Sequence, residues 1–215
     1  MLTPFVQWPE NLILVLASQS PRRAELLQVA GIPFEVVSAS DAEAAEVAAN
    51  GERQLQPQQY AVTLALAKAR AVADRLPGRL VLGADTIVVH AGDILEKPED
   101  PDDALRILGR LAGNRHTVIT GLALLGGTRQ ARWTGWAGTQ VEFLPQSEAA
   151  LRRYIATGEP FDKAGAYGIQ GLGALMIRGV EGCYFNVMGL PLALLGEALR
   201  QVLGQVPVTQ PEEGS

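Results

Sequence analysis

An apolar run over 12–17 stops at Ser18-Gln19-Ser20-Pro21-Arg22-Arg23. The run reads as a buried strand. A helical pattern follows, with Leu26, Leu27 and Ala30 on one face and a stop at Gly31. Ser20 suits the N-cap and Pro21 the first helical position. The free backbone N–H groups of such a helix start, beside Arg22 and Arg23, make an anion pocket, most often for phosphate. An ordinary capped helix with two solvated arginines fits the same residues.

Other positions could carry chemistry. Asp85 lies in Gly83-Ala84-Asp85-Thr86, inside an apolar strand pattern over 80–90. A carboxylate there is costly to bury without a metal, a cation or a proton to transfer. An aspartate at a bulge, bonded to a backbone turn, is the plainer alternative, and Thr86 is simplest as a β-branched strand residue. A hairpin through Ala91-Gly92-Asp93 would return Lys97 towards Asp85, unless Lys97 is an exposed edge lysine. Lys68 borders a helical stripe of Tyr60, Leu64, Ala67 and Ala71, where a lysine can also snorkel to solvent.

Asp162 and Lys163 open a glycine-dense segment around Gln170. Glycines let backbone approach a ligand closely. Gln170 offers an amide donor and acceptor that suit a base edge, and Lys163 offers a phosphate contact. A glycine-rich connection without a ligand is the alternative. The chain has no Walker motif, no G-x-S-x-G elbow and no zinc-ligand spacing.

The elements that must position these residues alternate along the chain. Strands are expected over 12–17, 34–38, 80–90, 94–97, 116–125, 132–144 and 174–177. Helices are expected over 21–30, 58–76, 100–112, 147–155 and 190–203. The polar, alanine-rich segment over 41–57 shows no clean period and reads as a mobile loop with some helix. Residues 1–11 read as a leader, 12–204 as a single domain and 205–215 as a flexible tail. Crossovers and hairpins together predict a mixed sheet flanked by helices.

The length of 215 residues is enough for one large α/β domain or two small lobes with a real core. The net charge of -5 argues against stable nucleic-acid binding, yet a local group of cations can still hold a small phosphorylated substrate. The single cysteine, Cys183, rules out an intrachain disulfide and points to a reducing cytoplasm. It lacks an activating partner in sequence and reads as an inert thiol in strand core. No segment reaches the roughly 20 apolar residues of a membrane span, and no basic region precedes the first apolar stretch as in a signal peptide.

In combination these blocks resemble the Maf family of nucleoside triphosphate pyrophosphatases. The matching stretches lie over 16–27, 66–70, 82–88, 95–98, 113–121, 162–171 and 186–191, in the family's order. The combination of Arg22, Thr86 and Gln170 is similar to the branch that prefers dTTP and UTP. The branch acting on 7-methylguanosine triphosphate has different residues there. The resemblance implies a mixed, strongly twisted sheet in two lobes with a cleft between them, often in a homodimer. It implies a divalent cation, Mg²⁺ or Mn²⁺, and hydrolysis of normal or modified pyrimidine triphosphates to the monophosphate and pyrophosphate.

The roles it implies are as follows. Ser18, Ser20, Arg22 and Arg23 hold the triphosphate. Lys68, Lys97 and Lys163 neutralise the leaving oxygens. Asp85 is general base or metal anchor, with Glu43 of an acidic stretch as a second metal ligand. Gln170 reads the pyrimidine, with Arg22 and Thr86 shaping the pocket. A nucleotide-binding regulator of septum formation with little turnover is the alternative function, and it would not need Asp85.

Overall fold

A computed structural model describes residues 4–38, 55–127 and 131–206. Strand β1 (Leu14–Ala17) is buried at every residue, so it carries no polar alternation. It pairs in parallel with β2 (Phe34–Val36) on one side and β3 (Leu80–His90) on the other. β4 (Asp93–Leu95) folds back on β3, and β5 (Arg115–Gly126), β6 (Ala131–Phe143) and β7 (Ile177–Glu181) continue the sheet antiparallel. The result is a mixed sheet of seven strands, as the pattern of crossovers and hairpins predicts. The β3–β4 turn is Ala91-Gly92, with φ of 51° and 87°, the positive pair that a two-residue hairpin needs.

Helices cover both faces. On β3, Leu80, Leu82 and Ala84 point into a core with Leu26 and Leu27 of α1 (Pro21–Val29). The other face of the sheet, through Val81 and Ile87, meets α2 (Pro57–Ala73). Val88, again on the α1 side, joins a second core with α3 (Pro101–Leu111) and α4 (Glu148–Ile155). Both helices start on side-chain caps: Asp100 accepts from Asp103 N and Ser147 from Ala150 N. Short α5 (Tyr184–Val187) leads to α6 (Leu192–Val202), which closes the first core. No helix among the described residues is long and apolar enough to cross a membrane.

Several expectations need correction. The buried stripe of α2 is Ala61, Ala65, Ala69 and Val72, with Ala67 beside it, and Tyr60, Leu64 and Ala71 are only partly covered. The cause lies in the sheet. A Cβ on Gly83 would run into the Ala65 carbonyl, and one on Gly121 into the Ala61 carbonyl. The helix therefore lies directly on two glycines, and only alanines fit beneath it. The amino-terminal stretch read as a leader is anchored: Val6 and Trp8 are buried in the first core. Trp8 Nε1 donates to the Leu12 carbonyl at 2.7 Å.

The last strand lies at Ile177–Glu181 rather than 174–177, because Leu172 and Gly173 give their N–H groups to the Glu159 carboxylate in a 3₁₀ turn. Cys183 is not strand core. The chain leaves β7 at Gly182, with φ of 119°, and half-buried Cys183 starts α5. Glu43 and the rest of 39–54, and the tail over 207–215, lie outside the described residues.

Two predictions follow from this packing. Gly121→Ala must lift α2 off the sheet, and overpacking of this kind costs about 1–3 kcal/mol. Urea denaturation reads the loss, and a variant as stable as the parent would contradict the packing. The second concerns His116, which is buried edge-on between Phe143 and Tyr167, with Nε2 2.8 Å from the Tyr167 hydroxyl. Burial, with a small contribution from His90, pushes its pKa down to about 4. The unfolded chain then binds the extra proton first, so stability is full above pH 6.5 and falls as pH drops towards 4, by up to about 3 kcal/mol. His116→Phe should remove that share of the slope between pH 7 and 4.5, measured by urea midpoints.

Candidate active site

The sheet has a gap at its third strand. β1 ends at Ala17, opposite Gly83, and β4 begins its pairing only at Val88. Between them, residues 84–87 of β3 are paired on the β5 side, with Asp85 opposite Gly121 and Thr86 opposite Thr120. Both faces of β3 therefore reach one opening, Asp85 from the α2 side and Thr86 from the α1 side. The opening lies beyond the carboxyl end of β1, where the chain leaves to β2 on one side and returns to β3 on the other. Such switch points are where open α/β sheets bind ligands.

A cavity of about 420 Å³ occupies this gap. Ser20, Arg22 and Arg23 line it from the start of α1, Lys68 from α2, and Asp85 and Thr86 from β3. Lys97 enters just past β4, so the hairpin does return it towards Asp85. Lys163 and Gln170 enter from the glycine-rich segment. Ser18 lines an adjoining pocket that shares Arg22, Arg23, Lys68 and Lys97. The structure thus gathers the sequence candidates among the described residues into one place.

Lys68 is not a surface lysine. Its Nζ donates to Asp85 Oδ1 at 2.6 Å, and the two side chains are only 17% and 14% exposed. The close seat of α2 on Gly83 and Gly121 makes this reach possible.

Arg22 and Arg23 have separate roles. Arg23 is buried, and its guanidinium is a clamp: Nη1 donates to Ser18 Oγ at 3.0 Å, Nε to the Gly189 carbonyl at 2.9 Å and Nη2 to Thr86 Oγ1 at 3.1 Å. The Thr120 hydroxyl donates to the Asn186 carbonyl at 3.2 Å, so it must accept from Thr86, 3.0 Å away. Every proton in the relay from Arg23 to Asn186 is thereby assigned, and the Thr86 hydroxyl cannot turn. Arg22 faces the opening and pairs with Asp162 at 2.9 Å. Asp162 also accepts from Lys163 Nζ at 2.5 Å. Partial burial raises its pKa, but the bonds from Lys163 and Arg22 outweigh this and hold the carboxyl below its usual range.

Ser20 does occupy the N-cap of α1, with Pro21 following, but its side chain makes no capping bond. Its own N–H donates to Ser18 Oγ at 3.2 Å. No capping side chain therefore covers the first turn of α1, and its start, from Ser20 to Arg23, lines the two pockets.

Sequence reasoning missed Thr120, Asn186, Tyr154 and Glu159. Thr120 and Asn186 are fully buried polar side chains; they lie in the matching stretches 113–121 and 186–191, but their residue types alone point to no role. Glu159 has one signal, its place in Gly-Glu-Pro just before the glycine-dense segment. Its carboxylate accepts from Leu172 N at 2.8 Å, Gly173 N at 3.1 Å and the Tyr154 hydroxyl at 2.9 Å.

Comparison with known proteins agrees with the geometry. The family model described as Maf-like protein matches residues 13–202. A dTTP/UTP pyrophosphatase of Moorella thermoacetica is 49% identical over 86% of this chain and 93% of its own length. One from Geotalea uraniireducens is 49% identical over 88% and 94%, and one from Symbiobacterium thermophilum 48% identical over 87% and 93%. With the match spanning nearly all of the sheet and every wall of the cavity, the chain belongs to the Maf-like protein family.

Proposed function

We propose that this protein hydrolyses dTTP and UTP to the nucleoside monophosphate and pyrophosphate. The observation that carries the reading is the Lys68–Asp85 pair, a mostly buried carboxylate and ammonium 2.6 Å apart at a cavity lined by Arg22, Lys97 and Lys163. The names of the relatives supply the substrate.

In the reaction a water oxygen bonds to the α-phosphorus, and the bond to the oxygen bridging to the β-phosphorus breaks. That oxygen leaves on pyrophosphate, and the water's proton passes to a base. Asp85 takes the proton or anchors a metal. Lys68 holds Asp85 in place through its 2.6 Å contact with Oδ1. Arg22, as a planar fork, and Lys97 and Lys163, as point charges, neutralise the departing oxygens. The N–H groups at the start of α1 take part of the triphosphate charge. Arg23 holds Ser18 and Thr86 in position behind them.

The donor set suits a hard divalent cation. Asp85 Oδ2 has no hydrogen-bond partner among the described residues, and one or two carboxylates together with substrate phosphates are the usual setting of Mg²⁺. Mg²⁺ or Mn²⁺ held at Asp85 would add charge neutralisation on the phosphate oxygens. Glu43 is the second carboxylate of this proposal. A homodimer in the cytoplasm completes it, on the family resemblance and the single cysteine.

Asp85→Asn keeps shape but removes the charge and the proton acceptor. Turnover of dTTP should fall by about 10²–10⁴ while nucleotide binding survives. Product chromatography with pyrophosphate release reads the rate, and a metal titration separates the roles, because only a lost anchor is partly restored by excess metal. Turnover within a few-fold of the parent would make Asp85 structural, and release of diphosphate and orthophosphate would identify a different bond.

Gln170→Glu should weaken dTTP and UTP more than purine triphosphates, because a carboxylate cannot donate to the pyrimidine carbonyl. An unchanged ratio of kcat/KM values would remove Gln170 from base reading.

A further inference from the structure

The loop that carries Gln170 closes around a buffered charge. Glu159 Oε1 accepts from Gly173 N and the Tyr154 hydroxyl, and Oε2 accepts from Leu172 N. Tyr154 is buried, and its hydroxyl oxygen accepts in turn from Gly168 N at 3.2 Å. Backbone on both sides of Gln170 is therefore tied to the same pair of side chains. The Glu159 carbonyl also accepts from Lys163 Nζ at 2.6 Å, so the anchor reaches a cavity cation as well.

The glycines fit the same picture. A Cβ on Gly171 would collide with the Glu159 carboxylate, and one on Gly173 would stand 2.8 Å from the Tyr154 hydroxyl. One on Gly168 would stand 3.2 Å from Glu159 Oε1 and 2.9 Å from Lys163 Cε. The sequence reads these glycines as room for a ligand. The atoms that require them to be glycine belong to the protein.

We propose that Glu159, seconded by Tyr154, is a positioning residue that holds the Gln170 loop against the cavity and so sets the preference for pyrimidine over purine triphosphates. This rests on the reading of Gln170 as the base reader. Three of the roughly four acceptor positions of the carboxylate are occupied, which leaves little capacity for a catalytic proton. Hydrogen bonds to a carboxylate are stronger than neutral ones, so two backbone amides on one charge fix a loop that has few side chains to pack. Burial pushes the Glu159 pKa up, but the Gly173 and Leu172 amides, the Tyr154 hydroxyl and Lys163 outweigh this and hold it below its usual value. The anchor is therefore charged at neutral pH.

Glu159→Gln tests this, since an amide cannot accept both backbone bonds without turning its own NH₂ against one of them. Amide hydrogen exchange at Leu172 and Gly173 should quicken by about tenfold or more, as loss of one charge-assisted bond implies. KM for dTTP should rise about tenfold with kcat changed by less than a few-fold, and the dTTP-to-dGTP ratio of kcat/KM should fall with it. Tyr154→Phe should move the same readouts in the same direction by less, and serves if Glu159→Gln does not fold. Gln170→Ala runs in parallel. A ratio that collapses in Gln170→Ala but is unchanged in Glu159→Gln overturns the positioning role, as does unchanged amide exchange. A ratio unchanged in both variants overturns instead the base-reading role on which the proposal rests.

Discussion

Asp85 and Lys68 are a carboxylate and an ammonium drawn mostly out of water and set 2.6 Å apart between a sheet and the helix lying on it. Such a pair gains little net stability, because desolvation of two ions offsets their attraction. Asp85 alone would be an uncompensated charge in an apolar strand. The pair therefore constrains its surroundings. Helix α2 must come close enough for a lysine stem to reach β3, which requires glycine at 83 and 121 and alanine at 61, 65 and 69. The face of α2 has little apolar bulk because bulk would lift the lysine away from its partner.

A second constraint is the interruption of the sheet edge. The apolar rows of β3 and β5 fill one core through Leu82 and Leu122 and another through Val88 and Val118. Between them on the same face stand Thr86 and Thr120, which would be costly to bury unpaired. The Arg23 fork and the Asn186 carbonyl satisfy them from either end of one relay. The same gap that separates the cores exposes β3 on both faces, so an ion pair on one side and a fixed hydroxyl on the other serve a single cavity.

Legibility in the sequence follows locality. The strand-to-helix step at Ser18–Arg23, the hairpin before Lys97 and the capped starts at Asp100 and Ser147 are set by neighbouring residues, and they stand where the pattern places them. The stripe of α2 is not legible in its own sequence because its burial depends on two glycines distant in the chain. Val6 and Trp8 read as leader because a short stretch shows no period, yet the first core takes them in. Cys183 reads as strand because Cys183-Tyr184-Phe185 is apolar, while the turn rests on Gly182 alone. Arg23 looks like Arg22 in a sequence, and only burial separates the clamp from the residue facing the opening. Glu159 shows little in the sequence beyond its Gly-Glu-Pro setting, because two of its three partners are backbone amides, which no spacing of side chains reveals.

The contacts around the cavity also differ in how readily they can be exchanged. Arg23 is bound to a carbonyl and two hydroxyls in a buried setting, so an incoming anion would have to break neutral bonds with no water to replace them. Arg22 and Lys163 share one carboxylate, Asp162, whose side chain is 62% exposed. The two cations are less open, at 29% and 16%, so it is the carboxylate that stands towards water, where phosphate oxygens can take its place. The two arginines that the sequence sets side by side thus stand in different settings, one locked into the fold and one at the opening. On the proposed function, the buried one would fix the frame and the half-buried one at the opening would exchange Asp162 for the more highly charged ligand.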